Sequence, residues 1–215
     1  INIRSHVAYH IIGMIDDAIL LYQDKGYEKE IVLFDENMVK LSERTPTFDK
    51  KRIFVLDISS KTDSVFHIIY GYKQKSEDFI KINTYNRNVE LVDSSLISVG
   101  ESMRFYAAYE SLFSEDESQI AIYKIHNNEE IKLIVYDIVN DTTLIDQIFS
   151  VQGSLLEQDL IQTMLTNDGH FWLLLDHYNS RGKKNKHYVE MFSIRNAQGT
   201  MDQFVIPLPE VLTSD

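Results

Sequence analysis

The chain has 215 residues, 44% of them hydrophobic, which is enough to build a sizeable core and too much for a disordered segment. Its formal net charge is −12, so it lacks the general cationic character that nucleic acid and anionic membrane surfaces select. It contains no cysteine, which excludes disulfide scaffolds, thiolate zinc sites and cysteine nucleophiles.

Period-2 apolar patterns rich in β-branched and aromatic residues run along the whole chain and predict strands. The first set is Val7 to Ile15, Ala18 to Tyr22, Glu30 to Phe34 and a polar edge, Val39 to Glu43, with turns at Asp16-Asp17, Gln23 to Gly26 and Asp35-Glu36-Asn37. The second starts at Ile53 to Leu56, turns at Lys61-Thr62-Asp63, and continues through Val65 to Tyr72, Phe79 to Tyr85 and Val89 to Ile97. The third runs from Arg104 to Phe149. It includes the acidic turn Ser114 to Ser118, two apolar strands from Ile120 and Ile131, and an outer strand Thr142 to Phe149. In the fourth, Leu155 to Leu165 reads as a brief helical or irregular lead into a strand at Leu160 to Leu165. The turn Asn167-Asp168-Gly169 follows, then Phe171 to Leu175, Tyr188 to Ile194 and Met201 to Ile206.

The most apolar strands begin at Ile19, Phe66, Ile120 and Phe171. The strands after them begin near Ile31, Phe79, Ile131 and Tyr188, and acidic turns precede them at Asp17, Asp63, Asp116 and Asp168. All three landmarks recur at a period of about 50 residues with four strands per period, the pattern of a β-propeller blade. The predicted fold is all-β: a β-propeller or part of one, of about four blades of four antiparallel strands. A β-sandwich of the same strands is the alternative. The whole chain, residues 1–215, is read as one domain with blades at 1–50, 51–100, 101–152 and 153–215.

The segment Phe113-Ser-Glu-Asp-Glu-Ser-Gln-Ile-Ala-Ile is similar to the turn-and-strand of TolB-like bacterial propellers, and Asn167-Asp-Gly-His-Phe-Trp-Leu-Leu-Leu to the Asp-Gly version of that turn. Glu30-Ile-Val-Leu-Phe-Asp and Ile134-Val-Tyr-Asp resemble its strand ending in aromatic-Asp. The ensemble resembles uncharacterised exported propeller proteins of Bacteroidota-type bacteria. The resemblance implies a fold and a periplasmic or secreted location, and it carries no catalytic residue. A start at Ile1 rather than Met points the same way, to a removed leader or a longer N-terminal part. Propellers usually have more than four blades, so the chain is expected to be part of a longer propeller or multidomain protein.

The candidate sites are few. Asp17, Asp63, Asp116 and Asp168 would share one rim, where carboxylates can hold calcium or a basic partner. No loop has a regular calcium-binding spacing, and Asp in such turns ordinarily bonds its own backbone. Arg181, Lys183 and Lys184 form a basic hairpin that could dock an anionic surface. His177 and His187 lie nearly opposite across that hairpin and would supply two zinc ligands without a third. Trp172 is read as core before ligand platform. No phosphate loop, nucleophile elbow or zinc-protease signature is present. No cofactor is expected, and no apolar run is long enough for a membrane helix. The reading that follows is a non-catalytic binding or scaffolding propeller for a protein, peptide or glycan. A propeller-type enzyme, with rim acids and His170 or His177 as its bets, or the propeller part of a multidomain hydrolase, is the alternative.

Overall fold

In a computed structural model the chain is described at residues 7–60, 64–101, 109–126, 129–151, 156, 160–178, 187–195 and 200–208. It forms two compact units, Ile1–Tyr106 and Ala107–Asp215.

The first unit holds two sheets. Sheet 1 is β1 (Ala8–Ile15), β2 (Ala18–Asp24), β3 (Lys29–Phe34) and β4 (Lys40–Arg44); sheet 2 is β5 (Phe54–Ser59), β6 (Val65–Gln74), β7 (Glu77–Asn86) and β8 (Leu91–Glu101). The second unit holds sheet 3, with β9 (Glu110–Phe113), β10 (Gln119–His126), β11 (Glu130–Asp137) and β12 (Thr142–Ser150). It also holds sheet 4, with β13 (Leu160–Leu165), β14 (Phe171–Tyr178), β15 (His187–Ile194) and β16 (Met201–Pro207).

Every sheet is an antiparallel meander whose strands lie in chain order, and no strand crosses from one sheet to another. The fold is therefore all-β, with about four blade-type sheets of four strands. The sandwich alternative fails on connectivity, because the long connections of a Greek key are absent among the described residues.

Sequence chemistry explains the turns. Phe34-Asp35, Tyr85-Asn86 and Tyr136-Asp137 each end a third strand. The Asp35 carboxylate accepts the amides of Asn37 (2.9 Å) and Val39 (2.8 Å). The Asn86 side-chain oxygen does the same for Asn88 (2.9 Å) and Glu90 (3.1 Å), and Asp137 accepts the Asn140 amide at 2.9 Å. Each turn then passes through a left-handed residue: Met38 (φ 61), Val89 (φ 62) or Asp141 (φ 50). The side-chain acceptor holds the turn while the following residue takes the strained conformation.

Side-chain alternation then builds the cores. In the first unit Leu20 and Tyr22 of sheet 1 face Phe66, Ile68 and Tyr70 of sheet 2. In the second, Ala121 and Tyr123 of sheet 3 face Phe171, Leu173 and Leu175 of sheet 4. Leu156 joins this second core, and the rest of its lead segment lies outside the described residues.

Candidate functional site: a cationic, tyrosine-lined cleft

Residues 45–53 connect β4 to β5, and of these only Ile53 fell within a predicted strand. They are held down by the tyrosines of sheet 2. The Thr47 carbonyl accepts the Tyr85 hydroxyl (2.5 Å) and the Asn83 amide (3.0 Å). Asp49 accepts the Tyr70 hydroxyl (2.5 Å) and the Lys81 ammonium (3.0 Å). Phe48 packs edge-on against Tyr70, with ring centres 5.0 Å apart. Burial opposes ionisation of Asp49, yet the hydrogen bonds from Tyr70 and Lys81 prevail and hold its carboxyl below the usual range. Burial, reinforced by the bond to Asp49, pushes the Tyr70 hydroxyl well up, and burial raises Tyr85 to about 12.

This anchored connection walls two recesses. One, of about 520 Å³, is lined by Tyr27, Lys29, Phe48, Lys50 and Lys51 among others. The other, of about 500 Å³, is lined by Arg52, Phe54, Tyr72, Lys73 and Lys75, and Ile53 borders both. The register explains the second recess: Phe54 pairs with Gly71, so the start of β5 lies beside the end of β6. Arg52 lies over the Tyr27 ring, 5.5 Å from its centre. Lys50, Lys51 and Lys75 are exposed, and no carboxylate among the described residues pairs with them. The acids of the first recess are largely engaged: Asp49 by Lys81, and Glu30 by Lys25; Glu28 completes the lining. Lys29 is itself paired with Asp24, so the charge of the first recess is mixed, whereas the second carries Arg52, Lys73 and Lys75 with no acid in its lining, on a chain whose formal net charge is −12.

Those residues singled out in the sequence that the structure describes lie elsewhere. Asp17 is exposed in the β1–β2 hairpin beside Asp16, which has φ 49 and lies 3.8 Å from Arg87. Asp116 is bound into its own turn, accepting the Ser114 and Ser118 hydroxyls (both 2.7 Å) and the Ser118 amide (3.0 Å). Asp168 accepts the Thr166 hydroxyl at 2.5 Å, which with nearby His170 holds its carboxyl below the usual range. These two turns do come together: the Asp116 amide donates to the Asn167 side chain, and the Gln119 side chain to the Asn167 carbonyl. They are a structural clasp.

Asp63, Arg181, Lys183 and Lys184 lie outside the described residues. The two histidines are not a cross-strand pair. His177 is opposite Tyr188, and His187 is opposite Tyr178, one position out of register. His177 bonds Glu190 at 2.7 Å and stacks on Tyr188 at 4.7 Å. No group of three His, Asp or Glu among the described residues is placed to hold a metal. Trp172 is half-buried on the face of sheet 4 turned away from the core, 6.2 Å from Phe204. The one sequence signal for the cationic cleft was the run Lys50-Lys51-Arg52 in an acidic chain. The pairing that adds Lys73 and Lys75 needed the β5–β6 register.

No protein-family model matches the chain, and no curated protein does. Solved structures similar to it include propeller domains. The β-propeller domain of the Trilobed protease from Pyrococcus furiosus, described as having an open velcro topology, aligns at TM-score 0.48 and 10% identity, over 95% of this chain and 58% of its own length. An uncharacterized protein from Listeria monocytogenes gives 0.45 and 10%, over 96% of this chain and 56% of that one. The WD40 domain of SCAP from fission yeast gives 0.41 and 8%, over 98% and 68%. The chain thus spans little more than half the length of the first two. Likenesses of this degree carry neither a ligand nor a reaction over to this chain.

Proposed function

We propose that this chain is a non-catalytic binding module of the propeller type, which holds a carboxylate-rich segment of a protein or peptide in the cationic cleft of its first unit. The observation that carries the reading is the placement of Lys50, Lys51, Arg52, Lys73 and Lys75 around two adjoining recesses on an otherwise acidic chain. The second recess is lined by charge of one sign, Arg52, Lys73 and Lys75, which focuses potential and draws a ligand of the opposite sign. Tyr27, Ile53, Phe54 and Tyr72 supply apolar wall for the stems of Asp and Glu side chains. The connection bearing the cations is fixed by Thr47, Phe48 and Asp49, so little ordering is left to oppose binding.

The test is a titration with a fluorescent Glu-rich peptide at two salt concentrations, with a Lys-rich peptide of equal length as control. The reading requires saturable binding of the acidic peptide alone, weakened by salt as expected for exposed charges. Equal binding of both peptides, or of neither, contradicts it.

A further inference from the structure

The second unit holds a recess of about 570 Å³ where β13 of sheet 4 lies against β9 and β10 of sheet 3. Small-molecule sites usually measure about 300–1,000 Å³. An irregularity in β13 shapes this one. Leu160 and Thr163 are three positions apart, so a regular strand would turn them to opposite faces. The register shifts between Leu160 and Gln162, which sets Leu160 opposite Leu175 and Thr163 opposite Leu173. Leu173 and Leu175 both point into the core between the two sheets, so Leu160 and Thr163 share the face that borders the recess. Bulges that re-aim a side chain in this way are common beside functional sites.

Tyr123 sets the polar part of the lining. It is 5% exposed, and its hydroxyl donates to Oε2 of Glu110. The Thr163 hydroxyl lies 3.3 Å from the Tyr123 oxygen. A phenol has one proton to give, so Thr163 donates in that second contact. Burial, then the bond to Glu110, raises the Tyr123 hydroxyl to about 12, and it stays a donor that fixes the carboxylate. Glu110 is exposed and forms no ion pair among the described residues. Its Oε1 is open to a ligand, and the exposed Gln162 amide adds a donor and an acceptor. Ile125, Leu156 and Leu160 complete the lining with apolar surface.

This lining narrows the ligand. No Lys or Arg borders the recess, so nothing there selects an anion. A simple cation would gain one exposed ion pair, which contributes little. A ligand that uses the whole lining brings several O–H donors together with an apolar face. A pyranose ring has both, with hydroxyls at its edge and C–H groups on its face. We propose that the recess is a saccharide-binding site, in which Glu110 and Gln162 engage ring hydroxyls and Ile125 and Leu160 pack on the C–H face. The site belongs to the second unit and does not rest on the cationic cleft of the first.

The experiment is saturation-transfer NMR of this chain with glucose, galactose, mannose and N-acetylglucosamine, and with n-butylamine as the cationic control. Each is titrated to about 10 mM, since contacts this few give affinities near millimolar. At least one sugar is expected to bind saturably, and n-butylamine is not. Glu110→Gln keeps an oxygen for Tyr123 but removes the charge, and is expected to weaken the sugar roughly tenfold. Gln162→Ala, which alters an exposed side chain, is expected to weaken it as well, with thermal unfolding confirming that both variants fold. Failure of every sugar to bind overturns the proposal. So does binding that neither variant weakens, or n-butylamine binding as tightly as the best sugar, which would make this a site for charge alone.

Discussion

The backbone amide of Asp116 donates to the side-chain oxygen of Asn167 at 3.0 Å, joining the β9–β10 turn of sheet 3 to the β13–β14 turn of sheet 4. The Gln119 side chain adds a second bond to the Asn167 carbonyl at 3.2 Å. Asn167→Ala removes the first bond and leaves the second, a loss of about 1 kcal/mol. Gly169 in the same turn has φ +81, and an added Cβ would lie 2.8 Å from the Gln119 side-chain oxygen and 3.0 Å from Leu144. Gly169→Ala is therefore expected to cost more, about 2–3 kcal/mol. Urea unfolding of the two variants checks the order; equal stability to wild type would mean that the clasp contributes nothing.

Gly71 tests a different constraint. Its backbone is ordinary, but a Cβ there would lie 2.1 Å from the Phe54 ring that pairs across from it. Gly71→Ala must displace Phe54, at about 1–3 kcal/mol. Combining it with Phe54→Leu should recover part of that loss, which a double-mutant cycle measures as a coupling between the two sites. Additive effects would contradict the contact.

Stability at acid pH should carry the signature of Asp49. Its carboxyl is held below the ordinary value, so its contribution is present above about pH 4 and is lost as pH falls through the lower folded value. Asp49→Asn should flatten that part of the curve. Denaturant midpoints measured between about pH 2 and 5 read the slope directly, and an unchanged slope in the variant contradicts the assignment.

At alkaline pH the sign reverses. Burial raises Tyr85 and Tyr123 to about 12, and it pushes Tyr22 and Tyr70 further still. These groups stabilise the fold fully below the unfolded value of about 10, and that stability is lost as pH rises through the folded values. Phenolate absorbance should rise in two stages, the exposed tyrosines first and the buried set only with unfolding. A single stage near pH 10, with the protein still folded, would contradict the burial of Tyr70 and Tyr85.

Strands were legible in the sequence because each sheet buries alternate residues, so Ile19, Phe66, Ile120 and Phe171 announce their strands without knowledge of their partners. Third-strand endings such as Phe34-Asp35 were visible for a local reason too, since the Asp35 carboxylate caps its own turn. The acidic turns were equally visible, and in two of them the carboxylate is engaged locally. The hydroxyls that engage Asp116 and Asp168 are two residues away, in the turns themselves. The cleft was hidden because it depends on a long-range register: nothing local to Lys73 or Lys75 places them beside Arg52. His177 and His187 show the opposite failure, where assuming a symmetrical hairpin shifted the pairing by one residue.

The most direct measurement of the binding reading is the affinity of a Glu-rich peptide for wild type and for the variant carrying Lys50→Ser, Lys51→Ser and Arg52→Ser together. Exposed charges of this kind contribute about 0.2–1 kcal/mol each, so the account requires roughly a tenfold weakening. Thermal unfolding should be unchanged, because none of the three side chains belongs to either core. Wild-type affinity in the triple variant would mean that the cleft is not where an acidic partner sits.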